Sequence, residues 1–298
     1  MSPTTPPQTA GNQAQGLLAR VPVKPVKVIA IASGKGGVGK TSVSVNLAMT
    51  LAMGGQAVLL LDADLGLANV DVQLGLQPSR NLSHLLAGEC RVADLVLQAP
   101  RGLKVVPATS GTRRMAQLGI TEYSALIHAF SDYREPVDVM VIDTAAGISD
   151  SVTVLSQAAQ EVVVVVCDEP ASITDAYALI KVLSRDFGIE RFRVVANMVR
   201  NDMHGKRLFE NILRVTDRFL KVVLDYAGAI PDDEFLKRAI RRQGAVVDIF
   251  PGARSSRAFQ LLADTANAWV SEPRGSGHLA FFSERQVAVG KSVAGGEP

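Results

Sequence analysis

The chain of 298 residues holds only two cysteines, Cys90 and Cys167, and four histidines. Neither cysteine belongs to a C-x-x-C pair or a Cys/His group, which argues against a disulfide framework, a zinc site or an iron–sulfur centre and makes a reducing compartment the expectation. Aromatic residues are scarce, at 5% with one tryptophan. Neither sign of charge dominates: 31 Lys and Arg stand against 29 Asp and Glu. They are scattered rather than gathered into the basic stripe of a dedicated nucleic-acid binder, so direct DNA binding is not expected. Long apolar runs are missing as well. The longest strongly apolar run, residues 162–167, falls far short of the roughly 18 residues a membrane span needs. No basic-then-apolar signal pattern opens the chain, and a cytoplasmic protein is expected.

What is present is an apolar fraction of 47%, enough to bury a full core. Residues 1–25 contain five prolines and no acidic residue and read as a flexible arm. From Val26 onward, short β-branched runs alternate with longer helical stretches. Strands are expected at 26–33, 57–61, 103–107, 137–142, 162–167, 193–196 and 222–227, and two late helices at 233–242 and 254–270. This alternation predicts an α/β fold, a doubly wound, mostly parallel sheet of about seven to eight strands with helices on both faces. The run VVVVVC at 162–167 has no polar alternation and marks a central strand. The main domain is expected over 26–271. It is followed over 272–298 by a Gly/Ser/Pro linker, a last helix at 278–289 and a tail.

The chemistry is concentrated in GKGGVGKT, residues 34–41. It matches G-x-x-x-x-G-K-[ST] between an expected strand and an expected helix, the context that gives the phosphate-binding loop its meaning. Gly34, Gly36, Gly37 and Gly39 let the backbone curl, with Lys35 and Val38 between them. Successive N–H groups then converge on phosphate oxygens at a helix N-terminus. Lys40 is expected on the β- and γ-phosphates, Thr41 on Mg²⁺ and Ser42 near the α-phosphate. The second strand runs into Asp62 and Asp64 (LLLDADLG) and a later one into Asp143 (VMVIDTAAG, with Gly147 closing the turn). Ligands in such sheets bind at the carboxyl ends of strands. Asp62 and Asp143 are thus candidate holders of a Mg²⁺ that keeps several waters, and Asp64 is a candidate to orient an attacking water.

Lys35 is a second lysine in a loop that already has Lys40. With DADLG and VIDTAAG it resembles the deviant loop of the MinD/ParA class of P-loop ATPases. Longer stretches resemble one branch of that class, the flagellar number regulators called FlhG or FleN. They are LLDADLGLANVDVQLGL (60–76), DTAAGISDSV (143–152), CDEPASITDAYALIK (167–181), VTDRFL (215–220) and GHLAFFSERQ (277–286). The resemblance implies a slow ATPase with Mg²⁺ as cofactor and an ATP-dependent sandwich homodimer, in which Lys35 reaches the partner's nucleotide. It implies adenine contacts from Asn197, Pro231 and Asp232. It also implies an off-state partner for Lys35 in Asp175, and segments carrying Asp62, Asp64, Asp143 and Gly147 that switch with nucleotide state. It implies an AAA+ flagellar transcription activator of the FleQ type as partner. Rival readings are a cell-division or ParA-type positioning ATPase, and a nucleotide-gated binding module whose hydrolysis is not required.

The two ends carry further expectations. On a helix at 278–289, Leu279, Phe282 and Val289 share a face. The resemblance implies reversible contact of such a helix with a membrane surface, the alternative being permanent packing on its own domain. NQAQGLLAR at 12–20 resembles, in degenerate form, the segment with which some family members engage the FlhF-type GTPase; a plain arm is the alternative.

Overall fold

A computed structural model describes residues 25–108, 115, 118–270 and 279–283. The expectations for the arm and its NQAQGLLAR segment, and for Val289, lie outside them. Eight strands form one sheet: β1 Lys27–Ser33, β2 Val58–Ala63, β3 Leu97–Gln98, β4 Lys104–Val106, β5 Val139–Ala146, β6 Glu161–Val166, β7 Arg191–Val199 and β8 Val223–Pro231. Their order is β3-β4-β2-β5-β1-β6-β7-β8, all parallel except β3, which runs antiparallel to β4. The helices are α1 Lys40–Met53, α2 Val70–Leu74, α3 Leu82–Leu86, α4 Ile120–Ala129, α5 Asp150–Ala158, α6 Pro170–Arg185, α7 Asp202–Phe219, α8 Glu234–Arg241, α9 Val246–Ile249 and α10 Arg254–Ala268.

The absence of polar alternation in the central strands has the expected cause. Val163 and Val165 of β6 pack in one layer with Leu47 of α1 and Phe259 of α10. Val162, Val164 and Val166 of the same strand pack in the opposite layer with Leu179 and Leu183 of α6 and Leu208 of α7. Successive side chains of a strand point to opposite faces, so a strand covered on both faces needs an apolar residue at every position. Two register pairs position the acidic residues: β2 and β5 set Asp62 beside Asp143, and β1 and β5 set Ile31 beside Asp143. Chain direction reverses its spread across the sheet at β1, which lies between β5 and β6, and the loop that leaves β1 opens into that crevice.

The C-terminal residues correct one expectation. Residues 281 and 282 form a turn rather than part of a helix, and the Phe281 and Phe282 rings are both fully buried. They meet the Phe130 ring at centroid distances of 5.3 and 6.1 Å, both edge-to-face. Leu279 packs partly buried against the same α4 layer, and the Ser283 and Ser131 hydroxyls lie 3.0 Å apart. Phe282 takes φ 55°, outside helical geometry, and both rings enter the same core layer. The described residues of this segment, 279–283, lie against the domain. Phe281→Ala is expected to lower stability by about 3–5 kcal/mol, measured as a shift of the urea midpoint at constant slope. An unchanged midpoint would mean the ring contributes nothing to the core.

Candidate nucleotide site

The loop between β1 and α1 is fixed by close approaches that only glycine permits. A Cβ on Gly34 would sit 2.2 Å from the Asp175 backbone, and one on Gly39 would sit 2.3 Å from Asn197 Nδ2. Gly39 also takes φ 83°, in the left-handed region, as it hands the chain to α1. Asn197 Nδ2 donates to the Val38 carbonyl at 2.8 Å, so the end of β7 clamps the loop. On the other side, the Gly147 N–H donates to the Ser33 carbonyl at 2.8 Å, tying the turn after β5 to the start of the loop.

Lys40 opens α1 nearly buried, and its Nζ donates to Asp143 Oδ1 at 2.8 Å. Ser44, one helical turn on, donates to the same oxygen at 2.8 Å. Asp143 Oδ2 is buried with no partner. Asp62, beside it on β2, has both oxygens engaged: Oδ1 accepts the Asp64 N–H at 3.1 Å, and Oδ2 accepts those of Asn69 and Val70 at 3.0 Å each. Burial and the Asp143 charge push the Asp62 carboxyl up to about 7, against the pull of those three amides. Thr41 lies half-buried in the first turn of α1, next to Lys40, and the Ser42 hydroxyl is 3.5 Å from Gln73 Oε1. Among the described residues no three His, Cys, Asp or Glu side chains are grouped to hold a metal by themselves. A cation here would share its ligands with phosphate oxygens, as Mg²⁺ commonly does.

Asp64 is half-buried, accepts the Leu67 N–H at 3.1 Å and borders a cavity of about 360 Å³. Tyr123, Ala145, Asp150 and Ser151 form the other walls. Lys35 is exposed, and its Nζ donates to Glu169 Oε2 at 2.6 Å. That bond, with the Glu169 charge, holds the ammonium above its ordinary value. The expectation that Asp175 holds Lys35 is therefore corrected. Asp175 is near enough to act through its charge, but Gly34 packs on its backbone and the carboxylate in contact is Glu169, at the N-cap of α6.

Of the expected adenine contacts, Asn197 is buried with its Oδ1 lacking a partner, while Pro231 ends β8 opposite Val199. Asp232 is turned outward onto Lys237 at 2.8 Å, and its N–H donates to the Val199 carbonyl at 2.9 Å. The next residue, Asp233, caps α8 through Phe235 N–H at 2.9 Å and accepts the Ser255 N–H and hydroxyl, each at 2.9 Å, at the head of α10. Sequence reasoning missed Ser44 and Tyr123. Ser44 was legible, four residues after Lys40 and hence on the same helical face; Tyr123 reaches the site only through tertiary packing.

Residues 29–246 match the CobQ/CobB/MinD/ParA nucleotide binding domain. The antiactivator FleN of Pseudomonas aeruginosa is 53% identical over 272 residues, covering 90% of this chain and 97% of that protein. The flagellum site-determining protein YlxH of Helicobacter pylori is 34% identical over 80% of each chain. In fold, the septum site-determining protein MinD of Pyrococcus horikoshii, complexed with Mg-ADP, superposes with a TM-score of 0.69 at 22% identity, covering 82% of this chain and 97% of its own. The family match across the sheet that carries the phosphate loop, and the extent of the likeness to FleN, establish that the chain belongs to the CobQ/CobB/MinD/ParA family of nucleotide-binding domains.

Proposed function

We infer that the chain is an ATPase that forms an ATP-dependent homodimer and, in that form, restrains flagellar gene expression by binding an AAA+ transcription activator. The observation that carries the nucleotide reading is the phosphate loop flanked by two buried acceptors without partners, Asp143 Oδ2 on one side and Asn197 Oδ1 on the other. Buried polar atoms are almost always paired. A hydrated cation beside Asp143, and the exocyclic amine of adenine beside Asn197, are groups that supply the missing donors. Guanine carries an acceptor where adenine carries that amine, so the same oxygen favours ATP over GTP.

The residues fit Mg²⁺. Thr41 and Asp143 would hold it, directly or through water, and Asp62 would add negative charge from behind its three amides. Mg²⁺ when bound neutralises charge on the β- and γ-phosphates. Lys40 then exchanges Asp143 for phosphate oxygens, and Asp64 orients water from its cavity. Lys35 leaves Glu169 for the partner's nucleotide, acting as a trans cation of the arginine-finger kind. Leu67 at 73% and Ile148 at 54% exposure lie on the turns after β2 and β5, at the same sheet end as the loop, apolar surface that a second copy would cover. The restraining role and the flagellar target rest on the likeness to an antiactivator and to a flagellum site-determining protein.

Light-scattering mass is expected to double with Mg-ATP and to stay monomeric with ADP. Asp64→Ala should prolong the dimer and slow hydrolysis by about 10²-fold or more. In Lys35→Ala the mass should stay monomeric and hydrolysis should fall by about 10³-fold; an ATP dimer with wild-type turnover in that variant would refute the trans role. Asn197→Ala should shrink the preference for ATP over GTP by about tenfold, read as the ratio of the two Kd values by calorimetry.

A further inference from the structure

Gln73 lies on α2 and is 7% exposed. Its Nε2 is fully buried and has no hydrogen-bond partner among the described residues, while its Oε1 meets the Ser42 hydroxyl at 3.5 Å. That distance is at the outer limit of a hydrogen bond. Turning the amide over exchanges the two atoms but still leaves one hydrogen bond unmet. An unpaired buried amide costs folding free energy, and most such groups find a partner by a small rotation.

The helix that carries Ser42 is itself braced. Asn46 Nδ2 donates to the Ser42 carbonyl at 2.8 Å, and Asn46 Oδ1 accepts the Val246 N–H at 2.8 Å. The face of α1 that carries Ser42 is therefore fixed to α9. On its other side, α2 is pinned by Gln243, whose Nε2 donates to the Val72 carbonyl at 3.3 Å. Gln73 is held between two braced elements, against the residue that comes after Lys40 and Thr41 in the phosphate loop. The same short helix begins with the Asn69 and Val70 amides that grip Asp62.

We propose that Gln73 is a nucleotide-binding residue, whose side-chain amide donates to an oxygen in the α-phosphate–ribose segment of a bound adenine nucleotide. This rests on the nucleotide reading of the phosphate loop and extends it to a residue outside that loop. The contact has a consequence beyond affinity. A nucleotide that engages Gln73 steadies α2, and through the Asn69 and Val70 amides it steadies Asp62 beside the metal position. The γ-phosphate is not needed for this contact, so ADP and ATP gain from it alike.

The test uses the full chain as wild type, Gln73→Leu and Gln73→Met, the unbranched Met guarding against a folding defect specific to Leu. Calorimetry gives Kd for Mg-ADP and Mg-ATP, and thermal denaturation without nucleotide gives Tm. Both apolar variants should melt no lower than wild type, because a buried donor without an acceptor has been removed. Both should bind ADP and ATP about tenfold more weakly. A lowered Tm with unchanged Kd would show a purely structural glutamine and overturn the proposal, as would wild-type affinity in either folded variant. If wild type itself bound neither nucleotide, the nucleotide reading would fail first, and that outcome is distinct from a failure confined to Gln73.

Discussion

The site is organised around one shared oxygen, Asp143 Oδ1, which accepts from both Lys40 and Ser44 deep in the sheet. Strand register places Asp62 directly beside Asp143, so two carboxylates share this interior with one lysine. Separating Lys40 from its partner in a low-dielectric interior is costly. Three backbone amides oppose the burial of Asp62 without cancelling it, and its carboxyl stays well above the ordinary carboxylate range. The local balance is short of positive charge at the point where the phosphate loop begins its helix. In the proposed reading a divalent cation arriving with phosphate would resolve this: the cation would answer the two carboxylates and the phosphate the displaced lysine.

The two lysines of the loop are held with different strength, and this orders what they can do. Lys40 is held inside on Asp143, and in the proposed reading phosphate and cation together would offset its release. Lys35 is paired with Glu169 at the surface, their side chains 38% and 57% exposed. An exposed pair of this kind contributes little, because water screens it and two long side chains must be ordered. Lys35 is therefore available to any stronger anion that approaches the rim, while Lys40 responds only to an occupied loop. Glu169 sits at the N-cap of α6, and the same helix offers the Asp175 backbone to Gly34. The position of α6 thus sets both the floor of the loop and the resting place of Lys35.

Much of this was legible in the chain because the central strands carry no compromise: VVVVVC cannot be half-exposed, and the glycine-lysine loop has one structural context. The strand ends were less legible. Asp62 looks like a terminator because aspartate is depleted in strands. Yet β2 runs through Ala63, since its ladder with β5 continues over Asp62–Asp143 and Ala63–Thr144. The two-residue strand β3 has no hydrophobic run to announce it. Glu169 as the holder of Lys35 depends on how the start of α6 meets the loop, a tertiary fact. Phe281 looks like a flaw in an amphipathic helix only while a helix is assumed; as a turn, it and Phe282 become two core residues.

That last arrangement links residues 281 and 282 to the cavity beside Asp64. Phe281 and Phe282 close over Phe130 just beyond the last turn of α4, and Tyr123 near the start of the same helix walls the cavity beside Asp64. Tyr123 shares that wall with Ser151 in the first turn of α5, so α4 and α5 shape the cavity together. Withdrawing the two rings into water would forfeit roughly 3–6 kcal/mol of apolar burial. Any surface that recruits these two residues must return that amount. The energetically favoured place for these residues is the α4 layer, where their contribution is to the rigidity of the helix that shapes the cavity.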